Sequence, residues 1–462
     1  MSYQNNGMIH KKNHPWLIWG VLITVALVCV IGLILILRGN KTVKTSADPE
    51  GVKAVQAKLP ASAVKDMTAS QFMEGDAHWN WWDEYRDKAD ASAKLQPELT
   101  ACYQTIMRQL LADEKENTVC SPLNIYIALS MLAEVSDGST RQQILDVLNV
   151  SDILSLRKQI GVLWDGNYVD TPVLQCLLAN SLWLRDSDIY NEKTLQLLAD
   201  QYYASSFRGE PGSEDMDRAL QDWTNEATCH LLEDYVKDLK LDADTVLALV
   251  STLYYKAAWT DNFWASATDQ QVFHGLEGDT TVDMMHKADT MRVHRADQFT
   301  SVGLDLMDSG AMYFFLPSDG IDVDQLLQDP EIFTAILGGN DDDWYVPLVH
   351  LSIPKFDIAA KMDLRENLKE MGITDAFVPG LADFSPLTTK IEDIYVSKAE
   401  HAATVKIDEE GVVGAAYTEL AMAEGAALPE DEIDFTVDRP FLFIIAGRDG
   451  SILFAGIVRN LP

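Results

Sequence analysis

The sequence predicts an α+β protein, in which one large domain follows a membrane-spanning segment. Apolar residues recur at helical spacing in residues 99–110 and 117–150. Nearly uncharged, strand-like runs occupy residues 245–259, 311–317, 349–358 and 440–458. Because the helical patterns lie mainly in the first half and the strands in the second, the order favours an α+β fold over a repeated βαβ unit.

Residues 16–37 contain no charged side chain. About 20 apolar residues span a bilayer as a helix, and Trp16 and Trp19 lie where an interfacial belt is expected. The alternative is a secretory signal, whose apolar core is normally about 7–15 residues and ends at small residues. This run ends at Leu37 and Arg38, so we expect a retained single-pass signal-anchor after a cytoplasmic tail at residues 1–15. Basic residues flank both ends, so charge alone does not orient the helix.

Residues 38–95 have a mixed composition that is interrupted by Pro49 and Pro60, and they are interpreted as a stalk. Three tryptophans and a tyrosine lie within the Trp79–Tyr85 region. This aromatic cluster either binds carbohydrate or a partner, or packs on the main domain or a short helix, and packing is favoured. The main domain is then expected at residues 96–462.

The domain carries local signals for its elements. Ser121 before Pro122 is typical of a helix start, since proline is tolerated in the first turn. Asp449-Gly450, between two apolar runs, predicts a hairpin near the C-terminus.

Residues 405–441 form the most informative segment, because a loop this long is usually functional or disordered. Alternate side chains of a strand face opposite ways. One face of this segment would carry no charge, and its residues are Val412, Gly414, Ala416, Thr418, Leu420 and Met422. The pattern therefore predicts a loop that becomes a strand.

Composition and motifs exclude several functions. The net charge of −35 argues against a nucleic-acid partner. No nucleophile-elbow, metalloprotease or phosphate-loop motif is present, so we expect no enzyme, no cofactor and no metal site. The domain cysteines, Cys102, Cys120, Cys176 and Cys229, are compatible with disulfides or with buried thiols.

Several segments of the chain resemble those of the serpin family and occur in the same order along the sequence. They are SPLNIYIALSML, GSTRQQIL, ANSLWL, QDWTNEATCHLL, YYKAAW, IPKFDI, DLRENLKEMGITDAF, ADFSPL, VSKAEHAATVKIDEEG and DRPFLFII. The resemblance implies a monomeric fold of three β-sheets, about eight to nine helices and an exposed reactive-centre loop. In the family, a serine or cysteine protease cleaves this loop, which then inserts into the large sheet while the protease stays covalently attached.

The resemblance assigns the hinge of the loop to Glu409, Glu410, Gly411, Val412, Val413, Gly414, Ala415 and Ala416. Val412, Gly414 and Tyr417 depart from the family pattern. Gly414 costs a strand roughly 0.5–1 kcal/mol. No charge or proline occurs from Val412 to Thr418, so we expect insertion to survive.

A second set of matched positions, called the shutter, lies beneath the large sheet in the family. Its residues here are Ser121, Asn124, Ser251 and His401. Compared with the family, the serine and asparagine at positions 124 and 251 are exchanged. Either the exchanged pair keeps one hydrogen-bond network, or each side chain is satisfied separately by backbone. Trp259 matches the family tryptophan at the breach, where insertion begins.

The scissile bond is expected among Ala421, Met422, Ala423, Glu424, Gly425, Ala426, Ala427 and Leu428. These small and medium residues, with no Arg or Lys from 412 to 433, favour elastase-like or subtilisin-like targets. Glu424 leaves a Glu-specific protease open. The alternative is a non-inhibitory serpin that binds a partner through residues 79–85. In either case, we expect the domain outside the cell and tethered to the cell membrane.

Overall fold

Three β-sheets organise the part of the chain that the computed structural model describes, namely residues 53–112, 115–338, 345–391, 394–412 and 431–462. Residues Thr45–Pro462 form one compact unit. Among the described residues, no helix is both long and apolar enough to cross a bilayer. The expected membrane segment at 16–37 lies outside those residues.

The large sheet has eight strands in the order β1-β5-β4-β6-β15-β14-β13, with β3 beside β4. Its strands are β1 (Lys53–Val55), β3 (Val169–Asp170), β4 (Leu174–Arg185), β5 (Ala204–Gly209), β6 (Leu247–Ala258), β13 (Phe356–Asp363), β14 (Glu400–Ile407) and β15 (Gly411–Val412).

The second sheet has six strands in the order β2-β18-β17-β11-β10-β9. They are β2 (Thr118–Cys120), β9 (Val293–Arg295), β10 (Phe299–Asp305), β11 (Ala311–Pro317), β17 (Phe441–Ala446) and β18 (Ile452–Val458). Every residue of β17 and β18 is buried, as expected for strands with both faces covered. The predicted hairpin joins these two strands, with Gly450 at a φ of 82°.

The third sheet has four strands in the order β16-β12-β8-β7. They are β7 (Asp269–Gly275), β8 (Gly278–Thr290), β12 (Leu348–Pro354) and β16 (Glu432–Thr436). The strand expected at residues 349–358 is therefore wrong as a single element, because β12 and β13 belong to different sheets. Apolar and polar residues alternate in both β12 and β13, so the sequence pattern does not show that the chain passes from one sheet to another between them.

Eleven α-helices occur in the described ranges, more than the eight to nine expected. They are α1 (Ala69–Met73), α2 (Asp76–Ala93), α3 (Gln96–Leu111), α4 (Pro122–Val135), α5 (Gly138–Val147), α6 (Ile153–Asn167), α7 (Glu192–Gln201), α8 (Glu214–Ala227), α9 (Glu233–Val236), α10 (Glu331–Leu337) and α11 (Arg365–Glu370).

Helix α4 lies in the core next to the large sheet, and its sequence explains how it starts. The Ser121 side chain accepts a hydrogen bond from the Asn124 amide, and Pro122 occupies the first turn. Such capping satisfies a backbone donor that the helix leaves unpaired. All but one of the α4 residues are buried, so the few polar side chains on it need internal partners.

The segment expected to be a stalk is part of the packed unit wherever it is described. Strand β1 pairs with β5, and Tyr85 and Ala89 of α2 are buried in the main core. Within the aromatic cluster, Trp81 stacks on Tyr85 with ring centroids 5.0 Å apart, whereas Trp79 is 64% exposed. The boundary expected at residue 96 therefore comes too late, and the favoured packing interpretation describes most of the cluster.

Candidate functional site

Strand β15 lies between β6 and β14 at one end of the large sheet. Gly411 and Val412 pair with Ala258 and Ala257 of β6, and Val412 also pairs with Ile407 of β14. In the described ranges, no ladder joins β6 directly to β14. We call the space between these two strands beyond Val412 the seam.

Cavities of about 80 Å³ and about 110 Å³ lie along the seam. Leu249 and Ser251 of β6 and Glu400 of β14 line both of them. The seam thus leaves space beside the backbones of β6 and β14, in continuation of the two residues of β15 that pair with both strands.

Hydrogen bonds to backbone carbonyls hold the start of the hinge. The Trp259 indole Nε1 donates to the Asp408 carbonyl at 2.9 Å, and the Trp259 amide donates to the Glu410 carbonyl at 3.0 Å. The Phe263 amide donates to the Glu409 carbonyl at 3.0 Å. Trp259, which the sequence assigned to the breach, therefore contacts the hinge directly.

The Glu409 side chain adds a charged contact. Its carboxylate lies 2.7 Å from the Lys355 ammonium and accepts a hydrogen bond from the Thr268 hydroxyl at 2.8 Å. Burial alone would raise the pKa of Glu409, but these two partners outweigh it and hold the pKa below its usual value. The carboxylate is therefore ionised at neutral pH and ties the hinge to the start of β13.

Gly411 is required where the chain enters the sheet. Its φ is 156°, and a Cβ placed there would lie 2.2 Å from the Ala257 carbonyl oxygen. A side chain at this position would therefore displace β15 from β6, since such a distance lies far inside van der Waals contact.

Val412 shows which face of the continuing chain meets the core. It is 1% exposed and belongs to the main hydrophobic cluster. Side chains alternate along a strand, so in a strand continued from Val412 the even-numbered residues would face the core and the odd-numbered ones would face the other way. The uncharged face recognised in the sequence is the even-numbered one.

The four shutter residues converge beneath the seam. The Asn124 amide nitrogen donates to the Ser251 carbonyl at 3.0 Å, and the Ser251 hydroxyl contacts the Asn124 side-chain oxygen. His401 Nε2 accepts a hydrogen bond from the Ser121 amide at 3.0 Å. Thus Asn124 and Ser251 contact each other directly, while His401 joins the group through the N-cap of α4.

Asn180 of β4 is a further member that the sequence reasoning did not assign. Its side-chain oxygen lies 2.7 Å from the Ser251 hydroxyl, and its amide nitrogen donates to the Tyr202 carbonyl at 2.9 Å. One hydroxyl proton serves two amide oxygens, so Ser251 donates to only one of the two asparagines at a time. The sequence feature that could have identified Asn180 is its amide side chain within the largely apolar ANSLWL segment.

Burial keeps His401 neutral. It lowers the pKa of His401 to about 4, because the charged imidazolium would lose its hydration. The neutral ring is able to accept at Nε2, as its contact with the Ser121 amide requires.

The four domain cysteines are free thiols, and Cys102, Cys120 and Cys176 are buried. The hinge residues Val413–Ala416 and the expected scissile region Ala421–Leu428 lie outside the described residues.

Comparison with known proteins identifies the family. A sequence model described as serpin (serine protease inhibitor) matches residues 100–461. The chain belongs to the serpin family. Serpins are generally inhibitors that form covalent complexes with their target proteases and are not catalytic enzymes themselves, so the expectation that this chain is not an enzyme is confirmed.

Curated serpins match over most of their length. The chain is 29% identical to Serpin-ZX of Arabidopsis thaliana over 362 residues, which are 75% of this chain and 92% of that protein. It is 30% identical to alpha-1-antiproteinase 2 of Equus caballus over 414 residues, which are 87% of this chain and 94% of that protein.

Solved serpin structures share the fold. Native tengpin, a thermophilic serpin, superposes with a TM-score of 0.71 at 22% identity and covers 80% of this chain and 94% of tengpin. Arabidopsis AtSerpin1 in its native stressed conformation gives a TM-score of 0.67 at 25% identity, covering 80% of this chain and 98% of AtSerpin1. The expected three-sheet α+β fold is confirmed.

Proposed function

We propose that this serpin is an inhibitor of elastase-like or subtilisin-like serine proteases that works by inserting its cleaved loop into the seam. The observation that carries this proposal is β15, which pairs with both β6 and β14 and places Val412 in the core. An inserted strand of the same direction would pair with both neighbours, because successive residues of an antiparallel strand form their hydrogen bonds alternately to one side and to the other.

The register of β15 supports the proposal further. If the strand continued in this register, Thr418 would lie level with both Ser251 and His401. Gly414, Ala416 and Thr418 would then face the core without burying a charge, which a buried face demands. The bulky Tyr417 would point to the opposite face.

The test is incubation of the full chain with elastase, subtilisin and trypsin. We expect an adduct that is stable in SDS with elastase or subtilisin, and mass analysis of the released C-terminal fragment to place the cut within residues 421–428. Trypsin serves as the control, since residues 412–433 contain no Arg or Lys. Cleaved inhibitor without any adduct would exclude the inhibitory function.

The alternative is a non-inhibitory serpin that binds a partner through the exposed Trp79. Loop cleavage separates the two functions, because insertion strongly raises the thermal stability of the cut protein. A cut protein that unfolds at the same temperature as the intact one would favour the binding function.

We propose further that residues 16–37 anchor the protein in the cell membrane, with the serpin domain outside the cell. The support is the length and apolar composition of this run and the absence of a cleavage-like site after it. Protease treatment of intact cells should remove the domain and leave a short cell-associated fragment. Release of the domain without protease would contradict the anchor.

A further inference from the structure

The chain before the core helices runs along the outer edge of the eight-stranded sheet. Strand β1 pairs with β5 there. Beyond β1, the Ala57 amide donates to the Ser205 hydroxyl at 3.1 Å, and the Ser62 hydroxyl donates to the Asp170 carbonyl of β3 at 2.5 Å. We call residues 53–81, from β1 into α2, the strap.

A hydrophobic cluster separate from the main core holds the other end of the strap. Phe72 of α1 is 0% exposed and packs there with Val64, Val173, Ala258 and Met307. Ala258 ends β6 and Val173 directly precedes β4, whereas Met307 lies between β10 and β11 of the six-stranded sheet. The cluster therefore fastens the strap to both sheets.

A polar contact adds a second link to the six-stranded sheet. His78 Nε2 of α2 donates to the Asp308 carboxylate at 2.9 Å, and the two side chains are only 9% and 11% exposed. The Phe72 ring packs edge-on against the imidazole, with centroids 5.2 Å apart. A polar contact shielded from water is stronger than an exposed one, and removing one partner leaves the other unpaired.

The seam determines which part of the molecule has to move when a strand enters. Such a strand needs about 4.7–4.9 Å between its neighbours. Near Ala257 and Ala258, β15 already fills this space, so opening concerns the other end of β6, where Leu249 lines both cavities. Strand β14 is linked to the six-stranded sheet, since His401 accepts from the Ser121 amide directly after β2. Strand β6 must therefore swing away together with β4, β5 and β1.

The ladder shows that the strap begins on the moving part. Leu249 of β6 pairs with Leu182 of β4. Leu182 in turn pairs with Ser206 of β5, and Ser206 with Val55 of β1. The start of the strap thus lies level with the place where the seam opens, while its end is held on the six-stranded sheet. A swing of β6 would displace one end of the strap relative to the other.

We propose that the strap restrains opening of the seam in the uncut protein, through the contacts of Phe72 and His78. A contact shifts such an equilibrium only if it differs between the closed and the open state, and the strap spans the two parts that separate. The inference rests on the proposed function for its purpose, because an inhibitor has to keep its seam closed until the loop is cut.

The experiment measures seam opening by thiol labelling of the full chain in nanodiscs. Leu129→Cys, introduced into every protein compared, places a thiol on α4 at a position that is 4% exposed and lines the 80 Å³ cavity. The natural thiol of Cys120, which is 0% exposed in β2, reports opening elsewhere. Peptide mass analysis separates the labelling rates of the two thiols.

Two strap variants are compared with matched controls in this background. Phe72→Ala is matched by Phe273→Ala, which removes an equally buried ring from β7. His78→Ala is matched by His274→Ala, which removes an imidazole that lies 2.8 Å from Asp279 in the four-stranded sheet.

We expect each strap variant to label the introduced thiol about tenfold faster than the parent, with the rate at Cys120 unchanged, because only the local opening becomes easier. The controls should change the rate at the introduced thiol by less than about twofold. If Phe72→Ala does not fold, His78→Ala and its control decide the question.

Equal acceleration in strap variants and controls, or a parallel rise at Cys120, would overturn the inference, as would an unchanged rate at the introduced thiol. Labelling requires neither cleavage nor insertion of the loop. Absence of an adduct with elastase would therefore count against the proposed inhibitory function alone.

Discussion

The six-stranded sheet and the eight-stranded sheet differ in how completely their strands are joined. In the six-stranded sheet, each strand is bonded to its neighbour, and β17 and β18 are buried along their whole length. In the eight-stranded sheet, β4 pairs with β6 from Leu174 to Leu184 and β13 pairs with all of β14. Only the two residues of β15 connect these halves among the residues described.

This difference suggests that the six-stranded sheet mainly stabilises the fold, whereas the eight-stranded sheet is the one able to change conformation. The six-stranded sheet has no vacant position between neighbouring strands, so we expect no strand to enter it without unfolding. The seam offers backbone groups and a largely apolar floor to the strand that the proposed insertion would add. The predictions below test this division, starting from the largest expected effect.

The first prediction concerns the two faces of the inserting loop. Ala416→Arg should abolish the adduct and leave only cleavage, because the register of β15, if continued on insertion, would turn residue 416 towards the core, where an unpaired charge is costly. Ala415→Arg is the matched control, and since residue 415 faces the other way it should keep most of the inhibition. SDS gels of each variant with elastase measure the outcome. Equal loss in both variants would contradict the alternation derived from β15.

The second prediction concerns the fully paired sheet. Phe443→Ala should destabilise the protein by about 3–5 kcal/mol, because it removes a wholly buried ring from β17. The thermal midpoints of intact and loop-cleaved protein should both fall, and their difference should remain. A variant that lost the difference would show that the two sheets are not independent.

The third prediction is a pH dependence of the seam. Burial lowers the pKa of His401 to about 4, below the value of about 6.5 in an unfolded chain. The unfolded chain therefore binds the proton more tightly between these values, so stability is lost as the pH falls from about 6.5 towards 4. The slope should approach roughly 1.4 kcal/mol per pH unit.

His401→Gln is the control, because a glutamine oxygen is able to accept from the Ser121 amide without titrating. Unfolding midpoints of both proteins should be measured from pH 7 to pH 4.5. Carboxylates such as Glu409 affect both proteins alike, so their difference reports on His401. Parallel profiles would contradict the buried neutral imidazole.

The smallest expected effect tests the exchanged shutter pair. Asn124→Ser, Ser251→Asn and the double variant should show a coupling energy of about 1 kcal/mol, since the two side chains share a hydrogen bond. Unfolding midpoints of the four proteins provide the cycle. Strict additivity would show that each side chain is satisfied separately, despite their contact.

The hinge shows how far the sequence reasoning reached. Alternation of charge-free positions identified the face that carries Val412, and the structure places Val412 in the core. Family motifs located Trp259, Asn124, Ser251 and His401. They did not locate Asn180, because a polar residue in an apolar strand does not indicate which side chain lies across the sheet.

The segment before residue 96 shows where local patterns fail. Its mixed composition, interrupted by Pro49 and Pro60, suggested a stalk, but its packing depends on partners far along the chain. Ser92 of α2 donates to the buried Asp449 carboxylate at 2.5 Å, and the Arg448 guanidinium lies 4.6 Å from the centre of the Trp82 ring. No local periodicity encodes contacts across more than 350 residues.

The position of β1 limits how far the domain can lie from the membrane if residues 16–37 are the anchor proposed above. It is the first described element, and it begins at Lys53 on the edge of the large sheet. Fifteen residues separate it from Leu37, and at about 3.3–3.6 Å each they span at most roughly 55 Å. With the proposed anchor, the domain would therefore act close to the lipid surface. A protease trapped by the proposed mechanism would stay on the cell that made the serpin.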